Sequence, residues 1–156
     1  MTRQGSRCFL LVRSQEWMCA LPLDEVEETM RPLPVSSVAS APDYVRGVCL
    51  VRGTTAPVVS LARLLGGGTP PPGQRFVSLR VPEGRVALEV DEVRGLRWLD
   101  AQTLDSVPPL LRSSAGAQLH HLGSVDGNLM AILATTHLLP QGLWSQLQNP
   151  AGEGRS

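Results

Sequence analysis

Apolar positions along the chain fall mostly into short runs bounded by Gly, Pro or charge, among them CFLLV, MCALP, VCLV, PVVSL, FVSL, VALEV and LMAIL. An amphipathic helix would instead spread its apolar residues at three- and four-residue intervals over ten or more positions, so this is strand texture. The pattern predicts strands over Cys8–Arg13, Trp17–Pro22, Val26–Met30, Gly47–Val51, Ala56–Val59, Phe76–Val81, Arg85–Val90, Gly95–Leu99, Leu119–Val125 and Leu129–Leu133. Helices are expected only over Leu61–Leu65, Thr136–Leu139 and a C-terminal Gly142–Gln148 segment with Leu143, Trp144 and Leu147 on one side.

The pattern is written twice. Shifting Phe9–Val26 by 67 positions lays FLLVRSQEWMCALPLDEV on FVSLRVPEGRVALEVDEV without a gap, and eight of the eighteen pairs are identical. They include Phe9/Phe76, Arg13/Arg80, Leu21/Leu88, Asp24/Asp91 and Val26/Val93. Further along, PVVSLARLLG from Pro57 resembles AILATTHLLP from Ala131 at an offset of 74. Two matches in the same order indicate an internal duplication. Each half, roughly 8–66 and 75–140, reads as about five strands and a short helical turn. Short strands in so small a unit suit a closed or nearly closed barrel, which removes exposed sheet edges. Two such barrels have thin cores and are expected to pack together along an apolar seam. Between them GGGTPPPGQ, Gly66 to Gln74, supplies freedom and removes donors, so a mobile surface loop is expected there; residues 141–156 form a short helix and tail.

Composition narrows the function more than the fold. Fourteen acidic and fourteen basic residues cancel, and every basic residue is Arg. The arginines are dispersed from Arg3 to Arg155, whereas a nucleic-acid footprint would cluster them. The LMAILA run is far below the roughly 20 residues of a membrane span, and CFLLV is too short for a signal-peptide core. Cys8, Cys19 and Cys49 form an odd set without a CxxC pair, as expected of reduced thiols in the cytosol.

Candidate chemistry is sparse. His120 and His121 are adjacent on a predicted strand and point to opposite faces, so they cannot both face one ion without a bulge; with His137 distant, no metal site is expected. The carboxylates of DEVEE, Asp24 to Glu28, and of DEV, Asp91 to Val93, recur in both halves, as a duplicated strand-exit turn would. No Ser-His or Cys-His arrangement accompanies them, so the chain reads as non-catalytic. GGGTPPPG lacks the GK[ST] ending of a phosphate loop, and no cofactor is expected.

What remains is YVRGVCLVRGTTAPVVSLARLLG, with Arg46-Gly47 and Arg52-Gly53 around one predicted strand. Glycines at strand ends serve tight turns or a close backbone approach. An Arg ending an apolar strand needs a partner or a surface role. Glu28 or Glu27 in the preceding strand is the available partner, and both roles can hold at once.

FLLV, CALPLDEVEE, APDYVRGVCLVRGTTAPVVSLARLLG, RVALEVDEV and LHHLGSVDGNLMAILATTHLL, in that order, resemble the CheW family of chemotaxis coupling proteins over residues 8–140. The most specific element is the run from Pro42 to Val58. The resemblance implies a mostly β fold of two intertwined five-stranded SH3-like barrels with short helices. It implies a cytoplasmic, non-catalytic adaptor, recruited to receptor arrays, that joins the regulatory domain of a CheA-type histidine kinase to the cytoplasmic tips of methyl-accepting chemoreceptors, the receptor hairpin lying in a groove between the barrels. By position, Val26, Arg46, Gly47 and Gly53 match kinase-contact places, and Glu28 and Arg52 match receptor-coupling ones. The sequence departs from the family at Leu50, where Asn is common, at Ser60 and Ala134, where Asp is common, and at His121, where Gly is frequent. An adaptor of the same kind serving surface motility or second-messenger control fits the same residues. A stand-alone enzyme is disfavoured by the missing nucleophile–base pair.

Overall fold

The structure is a computed structural model, and it describes residues 6–65, 71–100, 105–106, 119–125, 128–133, 139 and 141–148. The strands are β1 (Ser6–Ser14), β2 (Trp17–Pro22), β3 (Val26–Met30), β4 (Val45–Val51), β5 (Thr54–Ser60), β6 (Arg75–Val81), β7 (Gly84–Val90), β8 (Glu92–Asp100), β9 (Asp105–Ser106), β10 (Leu119–Val125) and β11 (Asn128–Leu133). A 3-10 turn covers Leu23–Glu25, and the helices are α1 (Leu61–Leu64) and α2 (Gln141–Gln148). All ten strands expected from the sequence are present. Several run further, because pairing with a neighbouring strand carries the ladder past the apolar stretch: in the β4–β5 hairpin β4 begins at Val45 and β5 at Thr54, and against β1 the strand β8 begins at Glu92. The two-residue β9 has no apolar pattern to announce it. The helix expected over Thr136–Leu139 lies outside the described residues apart from Leu139.

The strands form two sheets, β8-β1-β2-β11-β10-β9 and β3-β6-β7-β5-β4. Each sheet mixes both halves of the chain. The β1–β2 hairpin joins β8 to β11, and the β6–β7 hairpin joins β3 to β5, so the two repeats are interwoven through exchanged hairpins. The duplication is legible in the register itself. In β1–β2 Leu10 faces Leu21 and Val12 faces Cys19; in β6–β7 Val77 faces Leu88 and Leu79 faces Val86. Across the exchange, Val26 faces Leu79 in one sheet and Val93 faces Val12 in the other. Even the irregularities recur: one bulge lies between Val26 and Glu28, its counterpart between Leu11 and Val12 opposite Val93 and Gly95. The register shift at Val45/Gly47 likewise returns at Leu119/His121.

Three apolar clusters explain why the runs are continuous rather than alternating. On β1, Phe9 and Leu11 pack with Ala20 and Leu99 on one face. On the other, Leu10 and Val12 join Cys19, Leu21, Val77, Leu79, Val86 and Leu88, a cluster drawing on both sheets. This is the expected seam. The far face of the second sheet buries Phe76, Ala87, Cys49, Val51, Ala56 and Val58 under Met30, Leu33 and Val35. Strands buried on both faces read as unbroken apolar runs. Helix α2 lays Leu143 and Trp144 on the seam, with the Trp144 ring under the Gly84 turn. At the end of the Gly/Pro segment Pro71 and Pro72 are exposed, whereas Gly73 is buried and Gln74 donates its N–H to Val90 O at 3.0 Å. A Cβ on Gly73 would lie 2.6 Å from Val90 O and 2.7 Å from Glu89 Cγ, so its last two residues are fixed against β7.

Candidate protein-interaction site

Arg52 and Gly53 are the two residues of the β4–β5 hairpin loop, with φ of 51° and 81°. Two positive φ values are what a type I′ loop requires, and its right-handed twist matches the strands it joins. Gly53 accepts this freely, but Arg52 carries backbone strain that Asn or Gly would largely avoid. Its side chain shows why an Arg is held there. Arg52 Nε donates to Glu28 Oε2 at 2.7 Å and Nη2 donates to Oε1 at 2.9 Å, a bidentate fork on a carboxylate. The guanidinium is 72% exposed and Glu28 31%. The pairing holds the Glu28 carboxyl below the usual carboxylate range, chiefly through the Arg52 hydrogen bonds. Of the partners expected from sequence, Glu28 is the one taken. The Arg52 position is corrected from strand end to hairpin loop, since Val51 pairs with Thr54 to close the ladder.

Glu27 is engaged elsewhere. Its Oε1 accepts from Arg85 Nε at 2.5 Å and from Ser78 Oγ at 3.0 Å, and its Oε2 accepts from Arg80 Nε and Nη2 and Arg85 Nη2, each at 3.3 Å. Hydrogen bonding by Arg85, Ser78 and Arg80 outweighs desolvation and pulls the Glu27 carboxyl down to about 2. Arg85 Nη1 also donates to Val51 O at 3.2 Å. β3 and β4 are opposite ends of the strand order, yet Glu28 on β3 meets the loop that follows β4. The sheet is therefore curled until its ends approach, and the Glu27 and Glu28 pairs bridge the opening.

Along β4 toward its start, Arg46 Nη1 donates to Glu89 Oε2 on β7. Glu89 is 5% exposed and Arg46 27%, so the pair is largely desolvated. Gly47 is buried at φ 147°, and a Cβ there would sit 2.0 Å from Ser36 O and 2.7 Å from Ser36 C. The reason is a bridge: Ser36 N donates to Val48 O and Val48 N to Ser36 O, both at 2.8 Å. Gly47 thus lets residues 35–36 lie on β4. Gly53, by contrast, has open space around its missing Cβ. Val26 is half-buried at the exit of the 3-10 turn, against the seam cluster. The site residues thus divide: Glu28, Arg52 and Gly53 share one exposed corner, whereas Arg46, Gly47 and Val26 are built into the sheet.

Sequence reasoning missed Glu89, Ser78 and Arg85. For two of them a signal was available: Ser78 and Glu89 are polar positions flanked by apolar ones within their strands, and a buried polar group needs a partner. Near Arg52, Leu50 is 64% exposed on β4 and lines a shallow groove of about 290 Å³ with Pro34, Ser36, Val48, Cys49 and Thr55. The duplicated acidic turns differ in use. Asp91 accepts from Gln15 N at 2.7 Å beside Arg13, whereas Asp24 meets Arg7 at 3.3 Å on the open surface. Burial pushes the Cys19 thiol up to about 12, which leaves it protonated and inert. The histidine side chains lie outside the described residues; among the described ones no group of three or more His, Cys, Asp or Glu could hold a metal.

A family model for the CheW-like domain matches residues 8–142, nearly the whole chain. The chain belongs to the CheW-like domain family. Its fold agrees with the crystal structure of the scaffolding protein TtCheW from Thermoanaerobacter tengcongensis, at a TM-score of 0.72 and 19% identity over 81% of this chain and 88% of that one. Comparison with curated proteins gives no match. Within the family, the departure at Ser60 is absorbed by the fold, since Ser60 Oγ accepts from Arg63 N at 3.3 Å and caps α1. The departure at Leu50 changes the surface, placing an apolar side chain two residues before Arg52. His121 lies on β10 opposite Ile132, in the place that Gly47 holds opposite Val58. Ala134 lies outside the described residues. No helix among the described residues is long and apolar enough to cross a membrane.

Proposed function

We propose that the chain is a non-catalytic adaptor of a bacterial chemosensory array, linking the cytoplasmic tips of chemoreceptors to the regulatory domain of a CheA-type histidine kinase. It works in the cytoplasm and is recruited to the array through these partners. The observation that carries the reading is the exposed Arg52–Glu28 fork on a strained hairpin loop. A surface ion pair contributes little to stability, so strain spent on presenting one is better explained by a partner that reads it. Glu28 and Arg52 then form the receptor-coupling corner, with Leu50 beside it as an apolar contact. Val26, Arg46, Gly47 and Gly53 are assigned to kinase contact: the first three act by holding the sheet surface in shape, and Gly53 by shaping the loop that it shares with Arg52.

Charge exchange tests this. Arg52→Glu and Glu28→Arg each put like charges together, and the double variant restores the pair in reverse. All three should fold, and all three should fail to activate the kinase in arrays reconstituted with receptor and kinase. Full signalling by the double variant would reduce the pair to a strand-locking contact and contradict the proposed role.

A further inference from the structure

The corner holding Arg52 and Glu28 is the outer rung of a ladder whose inner rung is buried deeper. Glu27 and Glu28 are consecutive on β3. Glu28 takes Arg52 directly, whereas Glu27 takes Arg85, and the same guanidinium reaches on to Val51 O, the residue immediately before Arg52. The contacts close a circuit: Glu27, Arg85, the Val51 carbonyl, Arg52, Glu28 and back through the β3 backbone. Arg85 is 24% exposed and Glu27 18%, against 72% for Arg52, so the inner rung is the sheltered one. It also spans the opening between the two ends of the curled sheet.

We infer that Arg85 is a positioning residue that, with Glu27, fixes the β4–β5 loop at the height where Arg52 forks onto Glu28, and so sets the geometry read by the partner. The inference rests on the adaptor reading above. Its chemistry is specific to a planar fork: Nε and Nη2 lie on the Glu27 carboxylate while Nη1 is left for the carbonyl. A Lys at this position keeps the charge near Glu27 but presents one ammonium instead of a rigid fork. Arg80 shares Glu27 but makes no described bond to the loop and is 71% exposed, so it serves as the control.

The test uses the whole chain with Arg85→Met, Arg85→Lys and Arg80→Met. The first readout is the Arg52 Nε–H resonance, assigned by its loss in Arg52→Ala. In the parent and in Arg80→Met it should be shifted and protected from exchange. In Arg85→Met and Arg85→Lys it should move toward the free-arginine position, although Arg52 and Glu28 are both still present. The second readout is affinity for a soluble chemoreceptor fragment carrying the cytoplasmic hairpin tip, expected to fall by about tenfold in both Arg85 variants and to stay unchanged in Arg80→Met. If Arg85→Met does not fold, Arg85→Lys carries both readouts. An unmoved Arg52 resonance would overturn the inference, as would a moved resonance with unchanged receptor affinity. A parent chain that ignores the receptor fragment would defeat the adaptor reading instead, and the Arg52 resonance would still decide the clamp.

Discussion

Arg46 stands where the family resemblance places a kinase contact, yet its guanidinium is spent on Glu89, and the two roles can be separated by experiment. Arg46→Ala leaves a 5%-exposed carboxylate on β7 without its cation. Breaking one side of a buried pair costs about 3–5 kcal/mol, and the 27% exposure of Arg46 admits enough water to favour the lower end, about 3 kcal/mol. For a chain of this size that is a fall of roughly 6–12 °C in Tm. Glu89→Ala should cost a similar amount. The double variant, which leaves no orphaned charge, should cost clearly less than the sum, giving a coupling of about 2 kcal/mol in a double-mutant cycle. Urea unfolding followed by circular dichroism reads all four corners. Kinase affinity, measured at a temperature where every variant is folded, separates the roles. If Arg46 only shapes the sheet, Glu89→Ala and Arg46→Ala weaken binding alike. If it touches the kinase, Glu89→Ala frees the cation and keeps the affinity while Arg46→Ala loses it. Additive stability losses, with coupling below about 0.5 kcal/mol, would refute the premise that the pair is desolvated and interdependent.

Acid titration tests the inner rung. The Glu27 carboxyl falls from an ordinary 4.5 to about 2 on folding, so its contribution is complete above pH 4.5 and is lost as pH drops through 2. The shift corresponds to about 3 kcal/mol unscreened, and about 1–2 kcal/mol once solvent screening is allowed for; Glu27→Gln should flatten the stability–pH curve by that amount between pH 4.5 and 2, and an unchanged curve would discount the network. The two glycines of the Arg-Gly pairs should behave differently. Gly47→Ala forces a Cβ into the Ser36 carbonyl and should cost about 3 kcal/mol, whereas Gly53→Ala meets only backbone strain of about 1 kcal/mol; equal losses in thermal melts would contradict the placement of residues 35–36 on β4.

The seam and the repeat were legible in the sequence because both depend on local spacing. FLLV and VALEV have no polar alternation, which only strands buried on two faces can afford, and the 67-residue offset carried over pair for pair into the hairpin registers. The exchange of hairpins between sheets was not legible from spacing. It is a matter of which edge β3 and β8 choose, and their apolar patterns are compatible with either partner; only the family resemblance anticipated the interweaving. Of the site, the Arg52–Glu28 pairing could be read because a strand-end Arg demands a nearby acid. That Arg52 would occupy a positive-φ loop could not, since Val-Arg-Gly-Thr lacks the Asn-Gly or Asp-Gly that normally signals such a turn. Glu89 stood out as a polar position in an apolar strand, but its partner was hidden: the Arg46 cation lies 43 residues away, and no local rule connects β7 to β4.

An adaptor joins two proteins without chemistry of its own. The direct measurement is sedimentation of a three-component mixture: the chain, the regulatory domain of a CheA-type kinase and a soluble receptor fragment bearing the hairpin tip. The expected result is a ternary complex in which kinase domain and receptor fragment co-sediment fully only when the chain is present, and from which Arg52→Glu releases the receptor fragment while the kinase domain stays bound. A chain that binds neither component, or a receptor–kinase complex equally abundant without it, would rule out the adaptor role.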